Sequence, residues 1–181
     1  MITINKKFYL FSFIILPILS VVLFFAAVWL GLSYDHVLFI GILPLIIMNV
    51  IGMVFHYKAW KAIQDGYAST SPGKAVGFLY IPVYNLYWLF RTLNGFAKDV
   101  NEYIARHEIE TKDLPEGLYF LQCILIILLV IFGRMESGWA IYPTLVLLVW
   151  VYINTLIIIN KSANVVNSIY ESDTSLTTKE V

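Results

Sequence analysis

Residues 71–88 read SPGKAVGFLYIPVYNLYW, and how this stretch meets the membrane sets the number of times the chain crosses it. It is apolar enough to enter lipid, yet a lysine stands near its start, and a proline and an asparagine lie inside it. It could be a membrane-spanning helix, a phosphate-binding loop, or a segment that lies at the membrane surface. The composition and charge pattern of the whole chain separate these interpretations.

The composition is that of a membrane protein. Of the 181 residues, 60% are hydrophobic and 13% are charged, against roughly 25% charged in an ordinary soluble domain. The net charge is zero, so no global field attracts nucleic acid, and no nucleic-acid partner is expected. One cysteine and three histidines provide neither an internal disulfide nor enough soft ligands for zinc. We therefore expect no metal and no cofactor.

Four apolar runs, at about residues 8–32, 37–57, 116–134 and 139–160, set the predicted architecture. A helix of about 20 residues crosses the hydrocarbon core of a bilayer. The sequence therefore predicts an all-α fold, a single membrane domain over residues 1–181 in which four transmembrane helices form an integral membrane bundle. Residues 161–181 are expected to form a polar tail, and the last part of it, ESDTSLTTKEV, is expected to be frayed.

The basic residues predict the orientation of these helices. The segment between the second and third runs carries seven of them, whereas the link between the first two runs has none and only Arg134 stands at the boundary between the third run and the link to the fourth. With both termini in the cytoplasm, eleven of the twelve basic residues are cytoplasmic, as the positive-inside rule favours.

Two interpretations of the opening stretch fail on residue spacing and length. A phosphate-binding loop requires a nearer glycine than Gly66 and a hydroxyl where Ala75 stands. A fifth span over residues 75–90 would be about 24 Å long, short of a core about 30 Å thick, and Pro82 would break it. It would also place the basic residues that follow it outside the cell.

The third interpretation is an interfacial or re-entrant helical segment over residues 72–107. Lys74 and Arg91 bracket an aromatic cluster, and tyrosine and tryptophan prefer the membrane interface. Ser71 and Pro72 form a good helix start, so we expect a helix from about Pro72, a break near Pro82 and a second helix from about Tyr84. The continuation, with apolar residues at helical spacing through residue 104, can rest on lipid or on the protein's own bundle.

The block TSPGKAVGFLYIPVYNLYW, followed by Asn94-Gly95-Phe96-Ala97-Lys98 and Asn101, resembles a family of small, uncharacterised bacterial multi-pass membrane proteins. That family shares a PGKAVGFLFIPFFNLYW-like signature, and the likeness covers about 35 residues. The resemblance implies location in the bacterial inner membrane and no particular activity. Tyr80, Val83 and Tyr84 stand where the signature has phenylalanine, and Val83 lacks a ring.

The candidate functional residues come from this middle segment, and no catalytic set is evident in the sequence. The predicted contacts with lipid or with a partner are Lys74, Arg91, Tyr87 and Trp88. The residues expected to shape the segment are Pro72, Gly73, Gly77, Pro82 and Asn85. Asn49 and Asn154, inside the second and fourth runs, are expected to form hydrogen bonds between helices.

Two functional hypotheses follow from these residues. In the first, the protein is a non-enzymatic membrane component whose cytoplasmic aromatic and basic segment engages lipid headgroups or a membrane partner. In the second, it is a small transporter or channel subunit in which Asn49, Asn85 and Asn154 converge on a path lined by the re-entrant segment. The partners expected are membrane lipids, further copies of the chain or other membrane proteins.

Overall fold

The computed structural model describes residues 3–179, and this part of the chain is helical without a β-strand. It contains seven α-helices, with short 3₁₀ turns at Phe78–Tyr80 and Gly138–Ala140 and a π-helical turn at Phe90–Asn94. The α-helices are α1 (Lys6–Trp29), α2 (Tyr34–Ala62), α3 (Pro72–Gly77), α4 (Tyr84–Leu89), α5 (Gly95–Arg106), α6 (Glu116–Gly133) and α7 (Ile141–Lys179).

Four of these helices, α1, α2, α6 and α7, are long and apolar enough to cross a membrane. The shortest, α6, has 18 residues and rises about 27 Å, close to the thickness of the hydrocarbon core. Pro17 lies inside α1 and Pro44 inside α2, as is tolerated in lipid. The all-α class and the four candidate spans agree with the sequence prediction.

The chain divides into two compact units, of which one is Asn5–Phe55 and the other comprises the described residues on either side of it. In the Asn5–Phe55 unit, α1 and the first part of α2 pack antiparallel. Ser20 donates a hydrogen bond to the carbonyl of Gly41, and the Tyr9 ring meets Phe55 edge-on, 5.0 Å between centroids. A glycine on α2 thus allows a close approach to α1.

In the second unit, α6 and α7 pack antiparallel through polar side chains. The Gln122 amide donates to Thr155 Oγ1 at 3.0 Å. The hydroxyls of Tyr119, on the preceding turn of α6, and Ser162, two turns later on α7, lie 2.6 Å apart. Such bonds hold helices together in lipid, where little hydrophobic force acts between them.

Residues 161–179, which belong to the predicted polar tail, are helical and continue α7 as far as Lys179. The reason is a helical stripe of small and apolar residues beyond the apolar run. Ser162, Ala163, Val165, Val166 and Ile169 are all buried. Their spacing, i, i+1, i+3, i+4 and i+7, is one face of a helix.

A layer of aromatic side chains brings α5 against both the end of α2 and the start of α6. Phe96 of α5 lies 5.5 Å from Trp60, near the end of α2, and 6.3 Å from Tyr119, near the start of α6. The apolar face of α5, including Phe96, Val100 and Ile104, is buried. The sequence left open whether α5 rests on lipid or on the protein's own bundle, and the structure shows its apolar face buried against protein.

Candidate functional site

An open cavity of about 670 Å³ lies where the loop after α2 meets α3 and α4. Lys74, Arg91, Tyr87 and Trp88, the predicted contact residues, all line it. The remainder of the lining is Gln64, Gly66, Ala68, Ser69, Thr70, Ser71 and Phe78. Residues from the loop after α2, from α3 and α4 and from the short turns that follow these two helices therefore meet at one place, up to 27 positions apart between Gln64 and Arg91.

The charge of this cavity is positive. Its described lining contains two cations and no carboxylate. Lys74 and Arg91 are both exposed, and Arg91 Nη2 donates to the carbonyl of Ser69 at 3.3 Å, which turns the guanidinium toward the loop. A cavity of this composition favours an anionic ligand.

One wall of the cavity is aromatic and fixed in place. The Trp88 indole N–H donates to the Ala75 carbonyl at 3.3 Å. The Trp88 ring stacks on Tyr84, with 5.6 Å between centroids and 22° between planes, and meets Phe78 edge-on at 4.8 Å. Trp88 is only 7% exposed, so it provides a rigid surface while Tyr87 beside it remains exposed.

The helix α3 begins at Pro72, where the sequence predicts a helix start. The Ser71 side chain accepts a hydrogen bond from the backbone N–H of Lys74 at 3.4 Å, and proline is favoured at the first helical position. A Cβ added to Gly73 or Gly77 would meet no atom within 4 Å. Neither glycine therefore makes a close contact with the described part of the chain, and both leave backbone open on the surface of α3.

The break at Pro82 is a tight turn centred on Val83. The N–H of Tyr84 donates to the carbonyl of Pro82 at 2.7 Å, and Val83 has φ 66° and ψ −49°. These are the features of a γ-turn with positive φ, which is rare and strained. The half-buried Asn85 then donates its N–H to the Ile81 carbonyl at 2.9 Å as α4 begins.

A buried polar network that the sequence prediction missed ties α3 to α2. Thr92 is fully buried, and its hydroxyl lies 2.9 Å from the Ala75 carbonyl and 2.6 Å from His56 Nε2. Trp60 Nε1 lies 3.2 Å from both the Thr92 carbonyl and His56 Nε2. If His56 carries its proton on Nε2, then His56 donates to Thr92, Thr92 to Ala75 and Trp60 to the Thr92 carbonyl, so every donor has an acceptor.

This network adds hydrogen bonds to the last turn of α3, whose C-cap is Phe78. The last carbonyls of a helix have no partner inside it, and that of Ala75 accepts hydrogen bonds from both Trp88 and Thr92. His56 and Trp60 are four residues apart on α2 and share one face. That spacing was the one signal in the sequence for the network, and nothing local to Thr92 indicated its burial.

The loop that forms the far wall of the cavity is anchored to α5. Asp65 accepts hydrogen bonds from Arg106 at 3.0 Å and from the Tyr67 amide at 3.0 Å, and it lies 3.2 Å from His107. The amide of Ser69 donates to the Asp99 carboxylate at 2.6 Å. Burial opposes ionisation of Asp65, but these hydrogen bonds and the Arg106 charge outweigh it and lower the pKa of the Asp65 carboxyl.

The two asparagines expected between helices differ in their surroundings. Asn154 of α7 is buried, and its amide nitrogen donates to Gln122 Oε1 at 2.8 Å and to the Leu118 carbonyl at 3.1 Å, both in α6. Asn49 lies on the exposed surface of α2 in the Asn5–Phe55 unit.

No protein-family model, curated protein or solved structure matches the chain.

Proposed function

We propose that this chain is a non-enzymatic, multi-pass protein of the bacterial inner membrane whose segment 72–107 lies on the cytoplasmic side and engages anionic lipid headgroups. The observation that carries the proposal is the joint placement of Lys74, Arg91, Tyr87 and Trp88 around one open cavity. Cations attract anionic headgroups, and tyrosine and tryptophan rings favour the interface.

The same-side placement of the segment is supported by contacts between distant residues. Ile4 and Asn167 exchange two hydrogen bonds, from Ile4 N to Asn167 Oδ1 at 2.9 Å and from Asn167 Nδ2 to Ile4 O at 3.0 Å. Residues that touch lie on one side of a membrane, so the chain between them crosses an even number of times. Crossings by α1, α2, α6 and α7 meet this condition, and a fifth crossing would not.

Contact with the bilayer is supported by an exposed apolar tip around the γ-turn. Its members are exposed by between 41% and 84% of their surface. They are Tyr80, Ile81, Val83, Leu86 and Tyr87. Since Tyr87 also lines the cavity, the apolar tip and the cationic cavity adjoin, an arrangement typical of segments that enter the headgroup layer.

The test replaces both cations, as Lys74→Gln with Arg91→Gln, and measures how much anionic lipid the purified full-length protein retains. Each basic residue near an anionic surface contributes about 1 kcal/mol, so we expect a roughly 30-fold loss of affinity. The control is Lys112→Gln with Lys161→Gln, which removes two exposed cations outside the cavity lining and should have little effect. Equal retention by the two double variants would remove the proposal.

The transporter or channel hypothesis takes second place. It requires Asn154 to face a solute path, but the Asn154 amide nitrogen already donates to two acceptors in α6. Structural bonding between α6 and α7 accounts for this residue without a path.

A further inference from the structure

We infer that the cavity holds the headgroup of one anionic phospholipid, with its phosphate between Lys74 and Arg91, and is more than a charged surface. This inference rests on the proposed function, because it specifies the ligand of the same site. A charged surface binds lipids without fixed stoichiometry, whereas one open cavity with a single pair of cations would bind one headgroup.

The shape and composition of the cavity suit a phospholipid headgroup. At about 670 Å³ it lies within the size range of small-molecule sites, about 300–1,000 Å³. Lys74, Arg91 and the polar loop stand against the aromatic wall of Phe78 and Trp88. A phospholipid headgroup matches this division, because its phosphate suits the cations and its carbon atoms suit the aromatic wall.

The walls of the cavity are held in place by contacts within the protein. The Trp88 indole is fixed by its bond to Ala75 and by stacking on Tyr84. The opposite loop is fixed at Ser69, whose N–H binds Asp99 and whose carbonyl accepts from Arg91. A preorganised site loses little conformational freedom on binding, and affinity rises accordingly.

The apolar tip beside the cavity favours a lipid as the source of the phosphate. Tyr87 belongs both to the cavity lining and to the exposed apolar tip. A headgroup in the cavity could therefore continue into acyl chains that lie against the tip side chains. A free phosphate would make no use of this adjoining apolar surface, so a lipid fits the arrangement better.

The test fills the cavity without changing its charge. Ala68 is half-buried and lines the cavity, so Ala68→Phe places a ring in the space while Lys74 and Arg91 remain. Native mass spectrometry of the full-length protein, with phosphatidylglycerol as the anionic probe and phosphatidylcholine as the neutral one, counts retained lipids. We expect one phosphatidylglycerol per wild-type chain and a loss of about tenfold or more in its retention by the variant.

A second variant and a folding check keep the result interpretable. Ser69→Phe also adds bulk to the lining, and the bonds at Ser69 use only its backbone, so they are retained. Thermal unfolding identifies any variant that fails to fold.

The results for the two cavity-filling variants can overturn the inference of a single bound lipid while the proposed function still stands. If folded Ala68→Phe and Ser69→Phe retain phosphatidylglycerol like the wild type, the cavity is not the site, although the proposed function stands. Equal retention of phosphatidylcholine would also overturn the inference. Displacement of the retained lipid by inorganic phosphate or glycerol 3-phosphate, at concentrations similar to that of the lipid, would overturn it as well. The cavity would then select a free phosphate.

Discussion

Val83 adopts a backbone conformation that β-branched residues seldom hold. Its φ is 66°, and its side chain is 84% exposed, so no packing inside the described chain offsets the strain. Such conformations cost about 1–3 kcal/mol and persist where the surroundings enforce them. Here Pro82 before it and the start of α4 after it define the turn.

Replacing Val83 with glycine should stabilise the protein by about 1 kcal/mol. Glycine adopts positive φ without steric cost, and the strain released exceeds the extra entropy that glycine loses on folding, about 0.5–1 kcal/mol. The free energy of unfolding in detergent measures the change. Ile81→Gly is the matched control, because Ile81 is also exposed and β-branched but has φ −85°, and it should be destabilising. A destabilised Val83→Gly protein would contradict the strain argument.

The Thr92 hydroxyl illustrates what a sequence does not show about single residues. Ser71 and Pro72 could be assigned a role from the sequence because a capping side chain acts within three residues of its own position. Thr92 is buried by partners 17 and 36 positions away. Such contacts depend on how α2, α3 and α4 meet, which no local pattern encodes.

At the scale of elements, glycine sets how closely α1 and α2 pack. A Cβ at Gly41 would lie 3.3 Å from Phe24 Cβ, an atom attached to the backbone. A Cβ at Gly52 would lie 3.2 Å from Phe13 Cζ, the far end of a side chain that a small change in χ1 can displace. The two contacts are similar in distance, but only the second can relax without moving a helix.

Gly41→Ala should therefore destabilise the protein by about 1 kcal/mol, as overpacking costs about 1–3 kcal/mol and the gain in helix propensity offsets part of it. Gly52→Ala should be at least as stable as the wild type. Thermal unfolding of both variants in one detergent makes the comparison. If Gly52→Ala were the less stable of the two, the ranking by flexibility of the neighbour would be wrong.

The elements themselves were largely predictable. Long apolar runs indicated the four candidate spans, because about 20 apolar residues suffice to cross lipid, and Pro82 indicated the break between α3 and α4. The extent of α7 was not predicted, because polar residues after position 160 hid a buried stripe of helical period. The sequence grouped four contact residues in one segment, and they line one cavity: Lys74, Arg91, Tyr87 and Trp88. The loop after α2, which completes the cavity, was not identified from the sequence.

At the scale of the whole molecule, Asp65 joins the loop after α2 to the end of α5 across 41 positions. The pKa of this carboxyl is lowered in the folded protein. A group of this kind stabilises the fold at pH above its unfolded-state pKa, about 3.9, and its contribution is lost as the pH falls through the lower folded-state value.

The wild-type protein should therefore be more stable than Asp65→Asn near neutral pH, and the difference should shrink below about pH 4. Unfolding temperatures measured from about pH 7 down to about pH 3 test this. Asp113→Asn, at an exposed position of the loop before α6, provides the control. A difference between wild type and Asp65→Asn that stays constant over the whole range would show that the ionisation of Asp65 is unimportant.

The double hydrogen bond between Ile4 and Asn167 has a consequence for biosynthesis. Its two residues are 163 positions apart, and ribosomes add about 5–20 residues per second. The peptide group at Ile4 must therefore wait roughly 8–33 seconds for its partner. The formation of α1 and α2 therefore cannot depend on this contact, and its two hydrogen bonds form only after α7 has been synthesised as far as Asn167.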